Sequence, residues 1–335
     1  MHQTVNFDIK SSTAEGTPPT SQLEMGQWRN PARDPIAALH HADGDGVLAL
    51  IVRVEGPSYR PVGTAMAVLK TGQRIGSLSS GCIEADIAVH ARDALIQGSP
   101  KVIRYGRGSP YMDIQLPCGG GMDILLVPHP DPSAVRQVQE HRLNRRACAL
   151  NICLSRGAME VTEEGTTHLA PGRFSVRFDP ELQFLVFGKG PEATTFAKLV
   201  QSVGFPNMLL SPDCETLDQA VGSCCATRLL LHSGFPDDLI VDNRTAVVLF
   251  FHEHDWEPPV LIGALATDAF YIGAQGSIRA RDSRRQALDD LGVRPEQIAR
   301  LKGPVGLIPS ARDATTLAVS VLAEILAQVM PQDYS

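Results

Sequence analysis

The sequence predicts an α/β protein in two halves, an N-terminal mixed α/β domain followed by a C-terminal doubly wound parallel sheet. Three observations lead there. Beyond about residue 181, short apolar runs alternate with stretches of helical spacing, the pattern of a parallel sheet covered on both faces. Before residue 130 the strands are arranged around a hairpin turning at Thr71-Gly72. The chain has 335 residues, enough for two cores.

Residues 1–33 are polar and rich in Ser, Thr, Gly and Pro, and are expected to be disordered or loosely docked. Asp34-Pro35 reads as a helix start, with Asp as the cap and Pro in the first turn. A buried strand is expected over 47–54, a hairpin over 64–69 and 74–78, and a helix after Cys82 that stops at Gly98. Strands over 102–105 and 122–127 complete a first domain, 34–130. Residues 131–180 read as a connecting segment of one helix and several strands. The second domain, 181–331, has core strands at 184–187, 205–210, 245–251 and 269–272. Its helices are expected up to 203 and over 258–266, 277–291 and 313–330.

Composition narrows the function. Hydrophobic residues make up 43% and charged residues 20%, an ordinary globular balance. A net charge of -7 argues against broad attraction to nucleic acid. No apolar run is long enough for a membrane span, and no secretory signal opens the chain. The seven cysteines have no disulfide-like spacing, so they read as reduced thiols of a cytoplasmic protein.

Two glycine-rich segments, each with one cysteine, carry the strongest chemical signal. The first is Gly76-Ser77-Leu78-Ser79-Ser80-Gly81-Cys82-Ile83-Glu84, opening into a helix. Its backbone N–H groups suit an anion, and the helix start favours the Cys82 thiolate. Glu84 is placed to cap the helix or orient a ligand. The second is Leu116-Pro117-Cys118-Gly119-Gly120-Gly121, where three glycines point to close backbone approach. Each segment also reads as a plain structural turn around an inert thiol. Arg60, between Pro57 and Pro61, is a stiffly held guanidinium suited to phosphate or carboxylate.

In the second half, Gly188-Lys189-Gly190-Pro191-Glu192-Ala193 follows a strand and matches the G-x-G-x-x-A dinucleotide fingerprint, which marks the fold as Rossmann-like. Pro191 removes one N–H donor, and Ser211 stands where a ribose-binding acid is expected, with Asp213 slightly late. NAD(P) binding therefore has weaker support than the fold. His252-Glu253-His254-Asp255 follows a core strand and offers metal ligands or proton carriers, or only structural hydrogen bonds. Gly273-Ala274-Gln275-Gly276-Ser277 is a second candidate phosphate loop, with Ser277 as a helix cap.

The segments around Arg60, Cys82 and Cys118, followed by Gly188-Lys189-Gly190, His252-Glu253-His254-Asp255, Gly273 to Ser277 and Gly303-Pro304-Val305-Gly306-Leu307, stand in an order that closely resembles the XdhC/CoxI family across about residues 35–330. The resemblance implies a maturation factor rather than a turnover enzyme. Such a factor binds the molybdenum cofactor, as molybdopterin or its dinucleotide form, and guards it during sulfuration. It then delivers the cofactor to an apo molybdenum hydroxylase of the xanthine dehydrogenase type. A cysteine desulfurase partner and a homodimer are also implied. The anionic end of the cofactor suits Arg60 and the backbone cradles, and the metal suits Cys82 and Cys118. The chain departs from the family pattern at Lys189, Pro191, Ser80 and Ile308-Pro309-Ser310. Two other readings compete: an NAD(P)-dependent oxidoreductase, and a metal-dependent hydrolase built on His252, His254 and Asp255.

Overall fold

A computed structural model describes residues 34–56, 58, 60–79, 81, 83–109, 119–221, 225–251 and 255–329. The expected disorder of residues 1–33 falls outside that set.

The first half begins with α1 (Pro35–His41), whose cap Asp34 accepts from the N–H groups of Ile36 and Ala37. It continues through β1 (Gly46–Glu55), β2 (Ala65–Leu69), β3 (Arg74–Gly76), α2 (Glu84–Gln97), β4 (Lys101–Gly106) and β5 (Gly121–Pro128). The five strands form one antiparallel sheet in the order β3-β2-β1-β5-β4. Helix α2 ends at Gly98, whose φ of 62° supplies the left-handed stop. The same helix packs Ile87, Ala91 and Ala94 on Val47, Ala49 and Ile51 of one sheet face. Fully burying a side chain such as Ile87, Val47 or Ile51 contributes about 1.5–3 kcal/mol.

Residues 131–180 connect the halves in sequence but join the first core in space. They form α3 (Pro132–Leu143), β6 (Cys148–Cys153), β7 (Met159–Thr162), β8 (His168–Ala170) and β9 (Arg173–Phe178). The four strands make a second antiparallel sheet, β7-β6-β9-β8. Leu150, Ile152, Phe174 and Val135 share a core with Leu48, Leu50 and Leu125 of the five-stranded sheet.

The second half comprises β10 (Gln183–Gly188), α4 (Pro191–Ser202), β11 (Asn207–Ser211), α5 (Cys214–Val221), β12 (Ala226–Leu229), β13 (Thr245–Phe250), α6 (Glu257–Leu265), β14 (Tyr271–Ala274), α7 (Ile278–Asp290), α8 (Pro295–Ile298), β15 (Leu301–Lys302) and α9 (Ala314–Val329). All strand pairs are parallel, in the order β12-β11-β10-β13-β14-β15. Numbered within the half this is 3-2-1-4-5-6, the Rossmann order that the fingerprint predicts. Two apolar cores lie on its faces, one under α4 and α9, the other under α6 and α7.

Arg142 on α3 ties the halves together. It pairs with Asp34 at 2.9 Å and with Glu181 at 3.0 Å, and Arg145 grips Asp242 through two nitrogens. Among the described residues no helix is long and apolar enough to cross a membrane.

Candidate functional site

Strand direction gathers the first-half loops. β1, β3 and β4 run the same way, and β2 and β5 run against them. The loops after β1, after β3 and before β5 therefore leave the sheet at one end. These are the segments that carry Arg60, Cys82 and Cys118. Glu55 stands opposite Gly121, as does Gly106 on the other side. A Cβ on Gly56 would lie 3.6 Å from the Gly120 Cα, so two of the loops touch at their roots.

Glu84 organises the first cysteine loop. Its carboxylate accepts from the Ser77 hydroxyl at 2.8 Å, from the N–H groups of Leu78 at 3.2 Å and Ser79 at 2.8 Å, from the Ser79 hydroxyl at 2.8 Å, and from the Ile83 N–H at 3.3 Å. Burial would push this carboxyl up. The Ser77 hydroxyl and the N–H and hydroxyl of Ser79 overcome burial and hold it at about 2. The carboxylate thus faces its own loop instead of a ligand, and the N–H of Ile83 is committed to it. Gly81, at φ 98°, has no neighbour within 4 Å of where a Cβ would stand among the described residues, and neither has Gly119 at φ 69°. Gly76 and Gly121 serve packing. A Cβ on Gly76 would come within 2.8 Å of the Ala65 carbonyl oxygen, and one on Gly121 within 3.0 Å of the Arg104 guanidinium. Arg60 is exposed and makes no ion pair among the described residues. Ser80, Cys82 and Cys118 lie outside the described residues, as do His252 and His254.

At the carboxyl end of the second sheet the fingerprint is wired differently. Gly190 donates its N–H to the Thr216 hydroxyl at 2.9 Å, and that hydroxyl donates to Asp213. The Thr216 hydroxyl and N–H hold the Asp213 carboxyl below its ordinary range. One chain of hydrogen bonds therefore engages the Gly190 N–H, a donor of the fingerprint turn, and one oxygen of Asp213. Gly188 is tight for another reason: a Cβ there would lie 2.7 Å from the Phe250 carbonyl oxygen and 3.0 Å from the Ala193 Cβ. Gly273 lies inside β14, where a Cβ would meet the Tyr271 ring at 2.6 Å. Ser277 caps α7 by accepting from the Ala280 N–H, as expected, and Gly276 turns at φ 136°. Asp255 is exposed. Among the described residues no group of three His, Cys, Asp or Glu side chains is placed to hold a metal ion.

Comparison with known proteins agrees with this two-part architecture. A family model for the XdhC and CoxI family matches residues 39–106, and one for the XdhC Rossmann domain matches residues 184–325. The molybdenum cofactor insertion chaperone PaoD of Escherichia coli K12 is 33% identical over 309 residues, covering 90% of this chain and 88% of that protein. The chain belongs to the XdhC/CoxI family. A relative from Bacillus subtilis 168, named as a probable xanthine dehydrogenase subunit, is 27% identical, with 87% of this chain and 95% of that protein covered. A crystal structure described as a xanthine dehydrogenase from Bacillus halodurans shares the fold. Its TM-score is 0.72 at 21% identity, and the match covers 90% of this chain and 96% of that one.

Two features of this XdhC/CoxI chain escape a reading of its motifs. Asp86, in the first turn of α2, accepts from the buried Tyr105 hydroxyl at 2.6 Å and pairs with His90 at 3.4 Å. Lys101 reaches the other His90 nitrogen at 3.5 Å. The i, i+4 spacing of Asp86 and His90 is the only sequence signal for this string. The second is Cys153, at the end of β6. Hydrogen bonds from the Ser155 hydroxyl and the Arg156 N–H lower its thiol to about 6. In the sequence Cys153 is only one of seven reduced thiols, because the turn that aims those donors at the sulfur has no motif.

Proposed function

We propose that this chain is an insertion chaperone that carries the molybdenum cofactor as cargo and delivers it to an apo molybdenum hydroxylase. The observation that carries the reading is the gathering of the Arg60, Cys82 and Cys118 segments at one end of the five-stranded sheet. The 33% identity to PaoD, whose name states that role, supports it. The cargo is anionic and has a soft metal. Bare backbone at Gly81 and Gly119 allows close approach, the exposed Arg60 guanidinium suits a phosphate, and Cys82 and Cys118 supply thiolates. In this reading the cofactor is shielded while a cysteine desulfurase partner supplies sulfur, and the carrier works as a cytoplasmic homodimer. We further place the boundary between the cargo-holding part and the Rossmann-like part near residue 181, with 34–130 and 131–180 acting together.

The test is molybdenum content. The protein is purified from cells that make the cofactor, and bound molybdenum is measured by mass spectrometry beside the released pterin. Cys82→Ala and Cys118→Ala are each expected to lower molybdenum per chain about tenfold, equivalent to about 1.4 kcal/mol of binding. Unchanged loading in both variants rejects the proposed thiolate site.

A further inference from the structure

A cavity of about 650 Å³ lies on the seam between the two halves, at the amino ends of β10 and β11. The first half lines it with Asp34, Pro35 and Arg142, and the second half with residues 201–205 and Arg244. The junction, residues 179–182, lines it between them. Its apolar wall is incomplete: Val203 is 49% exposed just beyond α4, and Pro35 and Phe205 are half-buried. Its charged groups already have partners. Arg142 pairs with Asp34 and Glu181, Arg177 pairs with Asp179, and Arg244 donates to the Pro180 carbonyl oxygen at 3.1 Å. Two carboxylates keep surface all the same, with the Asp179 side chain 49% and the Glu181 side chain 35% exposed. A carboxylate has about four acceptor sites, so each can take a further donor. The wall therefore fits an occupant with a large apolar group and a few donors.

One such occupant is already attached at the wall. The chain enters α1 through Asp34 and Pro35, both on the lining. Asp34 is extended, at φ -104° and ψ 109°, so the residues before it do not prolong the helix. Those residues, 25–33, read Met25-Gly26-Gln27-Trp28-Arg29-Asn30-Pro31-Ala32-Arg33. Trp28 precedes Asp34 by six residues, a reach of at most about 20 Å. Pro31 biases Asn30 toward extended backbone, which favours that reach. Trp28 brings a large apolar ring and an indole N–H, and Arg29 and Arg33 bring cations with no acid in the segment. The other stretch of chain that leaves nearby is 330–335, beyond α9, whose Val329 packs on the same core as Phe205. It carries Asp333 and no basic side chain, which suits a wall with two exposed carboxylates poorly.

We infer that residues 25–33 are a strap across this seam, with Trp28 in the cavity against Val203 and Phe205 and an arginine of the segment on Asp179 or Glu181. Because it touches both halves, the strap holds them in one arrangement. This role goes beyond the carrier function and does not depend on molybdenum binding. The chain has two tryptophans, so Trp256→Phe leaves Trp28 as the sole reporter in the full-length protein. Trp28 is then expected to emit at shorter wavelength than in urea, with acrylamide quenching several-fold slower. Adding Val203→Lys, at an exposed position, puts a cation on the apolar wall and is expected to abolish both effects. Trypsin gives a second reading on the unaltered chain. Cleavage after Arg29 is expected to be about tenfold slower than after Lys10, which lies outside the strap. Trp28 emission and quenching equal to those in urea, or equal cleavage after Arg29 and Lys10, would overturn the strap and leave the cavity to 330–335 or to another molecule. Protection unchanged by Val203→Lys would overturn it by placing Trp28 elsewhere. Protection lost on dilution would overturn it by assigning the segment to a second copy of the chain.

Discussion

The loop end of the five-stranded sheet and the fingerprint end of the six-stranded sheet are written in similar letters, glycines flanked by small polar residues. Their wiring differs. In the first, one carboxylate, Glu84, draws in the donors of Leu78, Ser79 and Ile83, and Gly81 and Gly119 stay bare. In the second, a hydroxyl and an acid close the turn itself, and Gly188 is pressed against Phe250 and Ala193. A glycine-rich stretch signals ligand approach only when the surrounding side chains leave its backbone open. The same stretch is an ordinary packing device when they do not.

The comparison breaks most sharply at Glu84. Replacing it with Gln turns an amide NH2 or a weaker acceptor toward five donors. The cost is expected to be about 2–3 kcal/mol at neutral pH, measured by urea unfolding. The pH dependence follows from the direction of the shift. The Glu84 carboxyl is lowered from about 4.5 to about 2 on folding, so its stabilisation is complete above 4.5 and is lost as pH falls from there toward 2. In Glu84→Gln that acid-side loss is expected to shrink. A variant as stable as the parent, with the same acid profile, would mean that the loop is not organised by this carboxylate.

The glycines sharpen the contrast. Gly188→Ala must push a Cβ to within 2.7 Å of a backbone carbonyl oxygen, and a cost of about 2–3 kcal/mol is expected. Gly119→Ala meets no neighbour within 4 Å among the described residues and bears the strain of its φ of 69°, about 1 kcal/mol. Urea midpoints of the two variants measure the difference. Equal costs would show that openness does not separate the two ends.

Much of the architecture was legible because it rests on local rules. The run Phe184-Leu185-Val186-Phe187, the Asp34-Pro35 start and the Gly98 stop each state their element within a few residues. The elements that the sequence did not announce are short or lie at the sheet edges. β12 reads Ala-Thr-Arg-Leu without alternation, and β15 has two residues. They exist because a parallel neighbour supplies their hydrogen bonds. The candidate site was legible as positions but not as wiring. Thr216 lies 26 residues from Gly190, and no local pattern connects them. Likewise, residues 131–180 looked like a connector because the apolar faces of β6 and β9 identify a core without saying whose it is.

Cys153 extends the contrast to a third turn, where donors converge on sulfur. Cys148 and Cys153 stand at the two ends of β6. Burial pushes the Cys148 thiol up, while the Ser155 hydroxyl and neighbouring N–H groups bring Cys153 down to about 6. A thiolate there exists at neutral pH, whereas an ordinary cysteine, with a pKa of about 8.5, is mostly protonated. Iodoacetamide labelling, followed peptide by peptide across pH, should therefore show Cys153 half-reactive near pH 6 and Cys148 unlabelled in the folded protein. Ser155→Ala removes the leading donor and should move the Cys153 midpoint upward. A midpoint near that of a free thiol, unmoved by Ser155→Ala, would show that these donors do not reach the sulfur in solution. At Cys153 an exposed turn aims its donors at one sulfur, whereas at Glu84 five donors of a whole loop depend on one carboxylate.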